Sequence, residues 1–343
     1  MFKLAVINGS TFMRSLGKNK IDRVYLFFGE EFLIKEAFQS LKNTLFSGDE
    51  GTWDLEAHNA HDLTPEDLHV VLHEASIFAS LRLVVIKGAE KYFSSGKNRS
   101  EASEKTLLEY LSSPFEGNCI VFIVDGKPDS RRKLYTEIKT VGTVVEFGPL
   151  KGPKMTQWIN MRIENSDKKM DRRALEYFTA FVGGNLAVID QELQKAALYA
   201  GQSKTITLEM VQDTLTRTAG INVFELVDSI GNKNPSRALE LIREMLGSGE
   251  SPVYLCFMVA RQFRLMLYAK KLLIEGFTEK QVVSRLQLHP FVFKKLQQQA
   301  QNFSEKDLVT IMNELLNLDV SLKNSTKAPQ ILLEVFVLRL CSI

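Results

Sequence analysis

Residues 24–28 form a solid run of aliphatic and aromatic side chains, and after Gly29 the pattern changes period. Leu33, Ala37, Leu41 and Leu45 then recur at helical spacing, with Ile34 and Phe38 beside them. A short unbroken apolar run predicts a buried strand, and the 3.6-residue period predicts an amphipathic helix. The alternation continues to Phe147. Strands are expected at 53–57, Arg82–Lys87, 119–124 and Thr143–Phe147. A helix opens with Thr64 as its cap, Pro65 at its first position and acids in its first turn, and runs to about Ala75. Further helices are expected at 104–111 and 131–140, a loop at 88–103, and a helical lead-in over 1–22. Strands alternating with helices specify a parallel sheet covered on both faces.

At Gly148-Pro149 the strand pattern stops and helical periodicity takes over. Helices are expected at 155–165, Arg172–Phe181, 185–199 and 207–215, then a hinge at 218–222. Five or six more helices follow, with breaks at Asn234-Pro235, 247–252, Gly276, His289-Pro290 and Ala328-Pro329. The fold class is therefore α/β plus all-α. The division is an α/β domain over 1–148, a small helical domain over 149–218 and a longer helical domain over 219–343.

A chain of 343 residues has length enough for two or three domains. Its net charge of +2 argues against a strongly electrostatic DNA binder, although a local patch remains open. No apolar run approaches about 18 residues, and the N-terminus lacks a secretory core, so neither membrane insertion nor export is expected. Three scattered cysteines, Cys119, Cys256 and Cys341, suit a reducing cytoplasm.

Strand, glycine and helix make the architecture on which a nucleotide phosphate usually rests. Here Glu30 and Glu31 take the seat, and their carboxylates would repel a triphosphate. The motif G-x-x-x-x-G-K-[ST] is absent, and the strand ending at Val124 leads into Asp125-Gly126 where an ATPase would carry Asp-Glu. No catalytic, cofactor or metal residues are expected. His58, His61, His69 and His73 invite a metal reading, but HVVLH lacks the Glu of a zinc-protease helix, so structural histidines are the simpler account. Asp125 and Asp129 read as loop and cap residues.

Two positive signals remain. Arg261, Arg264, Lys270 and Lys271 share one long helix and could follow a phosphate backbone, although a solvated helix face explains them more simply. Ile77-Phe78 stands between a helix and a strand, flanked by small Ser76, Ala79 and Ser80. Burial is the default for such a pair, and small neighbours suit a pair standing proud of its surroundings.

Stretches spread across the chain resemble the delta subunit of bacterial DNA polymerase III, the clamp-opening subunit of the clamp loader. Tyr25-Leu26 through Gly29-Glu30-Glu31 to Leu33 and Glu36 resembles the family's opening signature. Asn185-Leu186 with Glu192-Leu193 and Leu198-Tyr199 is similar to its lid helix. Asn222-Val223-Phe224-Glu225-Leu226 with Asp228 resembles the start of its collar. Arg261-Gln262-Phe263-Arg264, His289-Pro290 with Lys294-Lys295-Leu296, and Leu315-Leu316 with Asp319 and Leu322-Lys323 follow in order.

The resemblance implies an AAA+-like α/β domain, a helical lid and a helical collar, in a subunit that does not bind ATP. It implies as partners the sliding clamp (the beta subunit), the loader's ATPase subunits (tau/gamma), delta-prime, and primed DNA in the assembled complex. Family members grip the clamp with a Ser-Leu-Phe-type segment. Ser76-Ile77-Phe78-Ala79 stands at that place, with Ile77 for the usual Leu, so exposure of the pair becomes the expectation. The chain is then non-catalytic by its own residues, inside a holoenzyme that is a DNA-directed DNA polymerase, a nucleotidyltransferase. Two alternatives are an active AAA+ ATPase with an unrecognised phosphate site and a helical DNA-binding adaptor working through residues 261–271. Nucleotide titration separates the first, and pull-down with and without DNA the second.

Overall fold

A computed structural model describes residues 6–16, 18, 21–46, 54–76, 81–94, 100–216, 219–324 and 328–342. The chain divides into two compact units, Met1–Lys151 and Gly152–Ile343.

In the first unit six strands form one sheet: β1 (Ile7–Asn8), β2 (Val24–Gly29), β3 (Asp54–Asn59), β4 (Arg82–Lys87), β5 (Asn118–Val124) and β6 (Thr143–Phe147). Their order is β1-β6-β2-β5-β4-β3 and every pairing is parallel. The helices are α1 (Gly9–Leu16), α2 (Glu31–Leu45), α3 (Pro65–His73), α4 (Glu90–Phe93), α5 (Glu101–Ser112) and α6 (Lys133–Val141). Successive residues of a strand point to opposite faces, so a doubly covered strand must be apolar throughout. Tyr25 and Phe27 enter a core with Phe12, Ile34 and Leu41 of α1 and α2. Val24, Leu26 and Phe28 enter a second core with Leu68, Leu107 and Leu134 of α3, α5 and α6. Each such side chain contributes about 1.5–3 kcal/mol of burial, which pins the register of the central strand.

Two details differ from the sequence reading. The lead-in is not wholly helical: Ile7 and Asn8 pair with Val145 and Glu146, adding an edge strand before α1. Two residues carry too little alternation to announce a strand. The stretch 88–103 is not all loop, because α4 inserts Tyr92 and Phe93 into the core and α5 begins at Glu101 behind its Ser100 cap.

The second unit opens with α7 (Pro153–Glu164), α8 (Arg172–Phe181), α9 (Leu186–Tyr199) and α10 (Leu208–Thr214). Strands do not stop at Gly148, since β7 (Lys169–Met170) pairs in parallel with β8 (Thr205–Ile206). Then come α11 (Ala219–Gly231), α12 (Pro235–Gly247), α13 (Pro252–Ile274), α14 (Glu279–Leu286), α15 (Pro290–Gln301), α16 (Glu305–Asn324) and α17 (Pro329–Leu340). These are seven helices among the described residues, against the five or six expected. The missed break separates α15 from α16, where Ser304 and Asp307 cap each other's backbone N–H groups. A Ser three residues ahead of an acid was the available signal. Residues 219–222, read as part of a hinge, are helical, and 217 and 218 lie outside the described residues. Leu226, Leu241, Phe263, Leu296, Ile311 and Val337 share one core.

Candidate functional site

The corner after β2, where a nucleotide would be sought, is closed by backbone. β2 ends at Gly29 and α2 begins at Glu31, leaving one connecting residue. The Glu30 N–H donates to the Phe147 carbonyl of β6 at 2.7 Å. Gly29 has φ +118°, and a Cβ there would stand 2.1 Å from that same oxygen. A phosphate cradle needs a loop whose N–H groups converge on empty space, and this corner has neither loop nor space. Glu31 pairs with Lys35 at 2.7 Å on the surface. Beyond β5, the Asp125 N–H donates to Glu90 at 3.3 Å, and the Glu90 carboxylate also meets His61 at 3.2 Å.

The other histidines have equally local partners. His58 meets Glu56 at 3.0 Å, and the His69 and His73 rings lie 4.3 Å apart. Among the described residues no cluster of His, Cys, Asp or Glu is placed to hold a metal, and no helix is long and apolar enough to cross a membrane.

The corner between α3 and β4 is built differently. α3 starts as its sequence requires, with Thr64 and Asp67 forming a reciprocal cap and Pro65 in the first turn. The last carbonyls of a helix have no partner within it. Here they are met by side chains from the sheet. Arg82, 1% exposed at the start of β4, donates through Nη1 to the Val71 and Glu74 carbonyls at 2.8 and 3.0 Å. Its other edge grips Glu56 of β3, Nη2 to Oε2 at 2.6 Å and Nε to Oε1 at 3.2 Å. Burial pushes the Glu56 carboxyl up, but hydrogen bonds from Arg82 and His58 outweigh it and hold the group below its ordinary range. Asn118, buried at the start of β5, donates to the Leu72 and Glu74 carbonyls at 3.0 and 3.1 Å. Ser76 is half-buried two residues beyond this anchorage. Ile77, Phe78 and Ala79 lie outside the described residues.

The sequence reading missed Arg82, Asn118 and Glu56 as a set. Its one visible signal was a charged residue opening an otherwise apolar strand, RLVVIK.

Arg261, Arg264, Lys270 and Lys271 do lie on one helix, α13, which contains no acidic residue. They do not share one face. At about 100° per residue, Arg261, Arg264 and Lys271 fall within roughly 80° of arc, and Lys270 stands opposite. The Lys270 ammonium donates to the Phe303 carbonyl, and Lys271 meets Glu305 at 3.7 Å. Arg261 and Arg264 are exposed, and among the described residues neither has an acidic partner. Exposed Tyr254, Phe257 and Tyr268 occupy the same arc.

The other motif residues do structural work. Asn185 caps α9 by accepting from the Ala187 and Val188 N–H groups. Buried Glu192 accepts from the Thr216 N–H at 3.0 Å and hydroxyl at 2.6 Å. Gln262 donates to Gln299 at 2.7 Å, and Gln299 donates on to Asp228 and the Phe224 carbonyl, both at 2.9 Å. Within this unit Phe181 meets Phe224 at 5.5 Å, and Tyr177 meets Phe291 at 5.9 Å, beside His289-Pro290. Burial pushes the His289 pKa down.

A parallel sheet in this strand order, followed by a mostly helical unit, is the architecture of an AAA+-like protein, here with its nucleotide corner shut. Residues 25–148 match the family model described as DNA polymerase III, delta subunit, and residues 220–340 match DNA polymerase III delta subunit, C-terminal domain. DNA polymerase III subunit delta of Bacillus subtilis (strain 168) is 30% identical over 335 residues, covering 95% of each chain. The probable DNA polymerase III subunit delta of Aquifex aeolicus (strain VF5) is 24% identical over 262 residues, covering 74% of this chain and 72% of that one. The solved structure of the Bacillus subtilis DNA clamp loader delta protein YqeN superposes with TM-score 0.61 at 26% identity, over 98% of this chain and all of that one. The chain belongs to the DNA polymerase III delta subunit family, the delta subunits of the clamp loader.

Proposed function

We propose that this chain is the non-hydrolytic subunit of its loader, binding one protomer of the sliding clamp and holding a ring interface open for loading on primed DNA. The observation that carries the non-hydrolytic part is the closed corner after β2, where Glu30 bonds to Phe147 and Gly29 abuts the same carbonyl. Opening a ring needs no chemistry from the opener. A protein that binds the open ring better than the closed one shifts the population by that difference.

In this reading residues 1–148 bind the clamp through Ser76, Ile77, Phe78 and Ala79. Residues 149–218 are the lid, and 219–343 the collar that joins the ATPase subunits (tau/gamma) and delta-prime. Arg261 and Arg264, with Lys271 beside them, lie near DNA in the assembled complex, and Lys270 serves the collar itself. Gel filtration with the organism's own sliding clamp tests the first assignment, and co-elution is expected. Calorimetry with ATP and Mg²⁺ tests the second. No binding is expected, and micromolar affinity with turnover would overturn it.

A further inference from the structure

We infer that Arg82, supported by Asn118 and Glu56, is the positioning residue of the clamp-binding segment, an inference that rests on the reading of Ser76–Ala79 as that segment. The chain leaves α3 at Glu74 and re-enters the sheet at Arg82. One residue holds both points. The Arg82 backbone N–H donates to the Gly117 carbonyl at 2.8 Å, which fixes the return. Its guanidinium reaches back to the Glu74 carbonyl at 3.0 Å and the Val71 carbonyl at 2.8 Å, which fixes the departure. The Asn118 amide doubles the hold on Glu74 at 3.1 Å. Glu56, at 2.6 Å, neutralises the buried cation and keeps its planar fork aimed at the helix end. Residues 75–81 are thereby closed into a short loop whose ends are set by the sheet rather than by the clamp.

Closing the loop beforehand removes part of the ordering cost that binding must otherwise overcome. The cation also sits against the negative end of the α3 dipole, where a Lys could meet one carbonyl but not the carbonyls and Glu56 together. Positioning of this kind predicts a loss of clamp affinity that exceeds any loss of folding.

The test compares full-length Arg82→Met, Arg82→Lys and Asn118→Ala with wild type for clamp affinity by surface plasmon resonance. Melting curves and amide hydrogen exchange over residues 74–82 are run alongside. Expected are folded proteins with clamp affinity down about tenfold or more for Arg82→Met, partial recovery for Arg82→Lys, and faster exchange confined to 74–82. Asn118→Ala removes only one of the two holds on Glu74, so it keeps the test decisive should Arg82→Met fail to fold. A synthetic peptide of residues 74–81 is expected to bind the clamp weakly, at a level the variants approach. Folded variants that bind as tightly as wild type would overturn the positioning role. An Ile77→Ala, Phe78→Ala double variant that binds as wild type would instead remove the clamp-binding reading beneath it.

Discussion

Two corners of the same sheet have taken opposite solutions. At the C-terminal end of β2, where parallel sheets usually hold ligands, backbone meets backbone. One residue links strand to helix, and the Phe147 carbonyl fills the space. At the N-terminal end of β4, long side chains reach across instead. Arg82 and Asn118 hold the departing helix, leaving residues 75–81 as an unshortened span. A backbone closure is cheap, rigid and has no room for a ligand. A side-chain closure costs a buried charge that must be paired, yet it can steady the base of a segment while sparing the segment itself. The difference shows how an AAA+-like fold can exchange a nucleotide site on one edge for a partner site on the other.

The comparison breaks first at the segment itself. Ile77→Ala with Phe78→Ala should weaken clamp binding by roughly two to four orders of magnitude, because burying two such side chains contributes about 3–6 kcal/mol at 1.4 per decade. The melting temperature should barely move. Were the pair part of the core, the same change would cost about 5 kcal/mol or more and unfold the domain. Surface plasmon resonance and thermal melts of one double variant decide between the two.

The closed corner gives the next largest effect. Gly29→Ala forces a Cβ to within 2.1 Å of the Phe147 oxygen at φ +118°. A loss of about 2–4 kcal/mol is expected, visible as a lower urea midpoint at unchanged slope. An unaltered midpoint would mean that the corner has slack, and the argument against a phosphate site there would fail with it.

What the chain disclosed beforehand follows the same line. The continuous run at 24–28 and the Thr64-Pro65 cap are local signals, and both strand and helix stand where the pattern put them. The Arg82 set joins residues 56, 71, 74, 82 and 118, which only the sheet order β5-β4-β3 brings together, so no spacing could announce it. The opposed direction of Lys270 was different. Helical phase alone separates it from Arg261 and Arg264, and treating the four cations as one group passed over that information.

If the helical unit handles DNA while the α3–β4 corner handles the clamp, their variants should be separable. Arg261→Glu with Arg264→Glu should lower DNA affinity of the assembled loader and reduce the slope of log affinity against log salt by about two, leaving clamp affinity intact. Lys270→Gln should not alter that slope, since its ammonium already serves the Phe303 carbonyl. An unchanged slope in the double reversal would return these arginines to an ordinary solvated face.

The smallest effect is the most specific to the held corner. The Glu56 carboxyl titrates below its ordinary value of 4.5 in the folded chain, because the hydrogen bonds from Arg82 and His58 outweigh the opposing effect of burial. A carboxyl whose folded pKa is depressed contributes stability that is fully present above the unfolded pKa and is lost as pH falls through the folded one. The relevant window therefore lies at and below about pH 4.5, not near neutrality. Glu56 is 36% exposed at its side chain, so its share should be no more than about 1 kcal/mol after solvent screening. Urea melts between about pH 3 and 6 should show wild type losing stability faster than Glu56→Gln as acid is added, with the two curves parallel above that range. Parallel curves throughout would mean that the Arg82 grip on α3 does not depend on a charged Glu56, and that the carbonyls of Val71 and Glu74 suffice to aim the guanidinium.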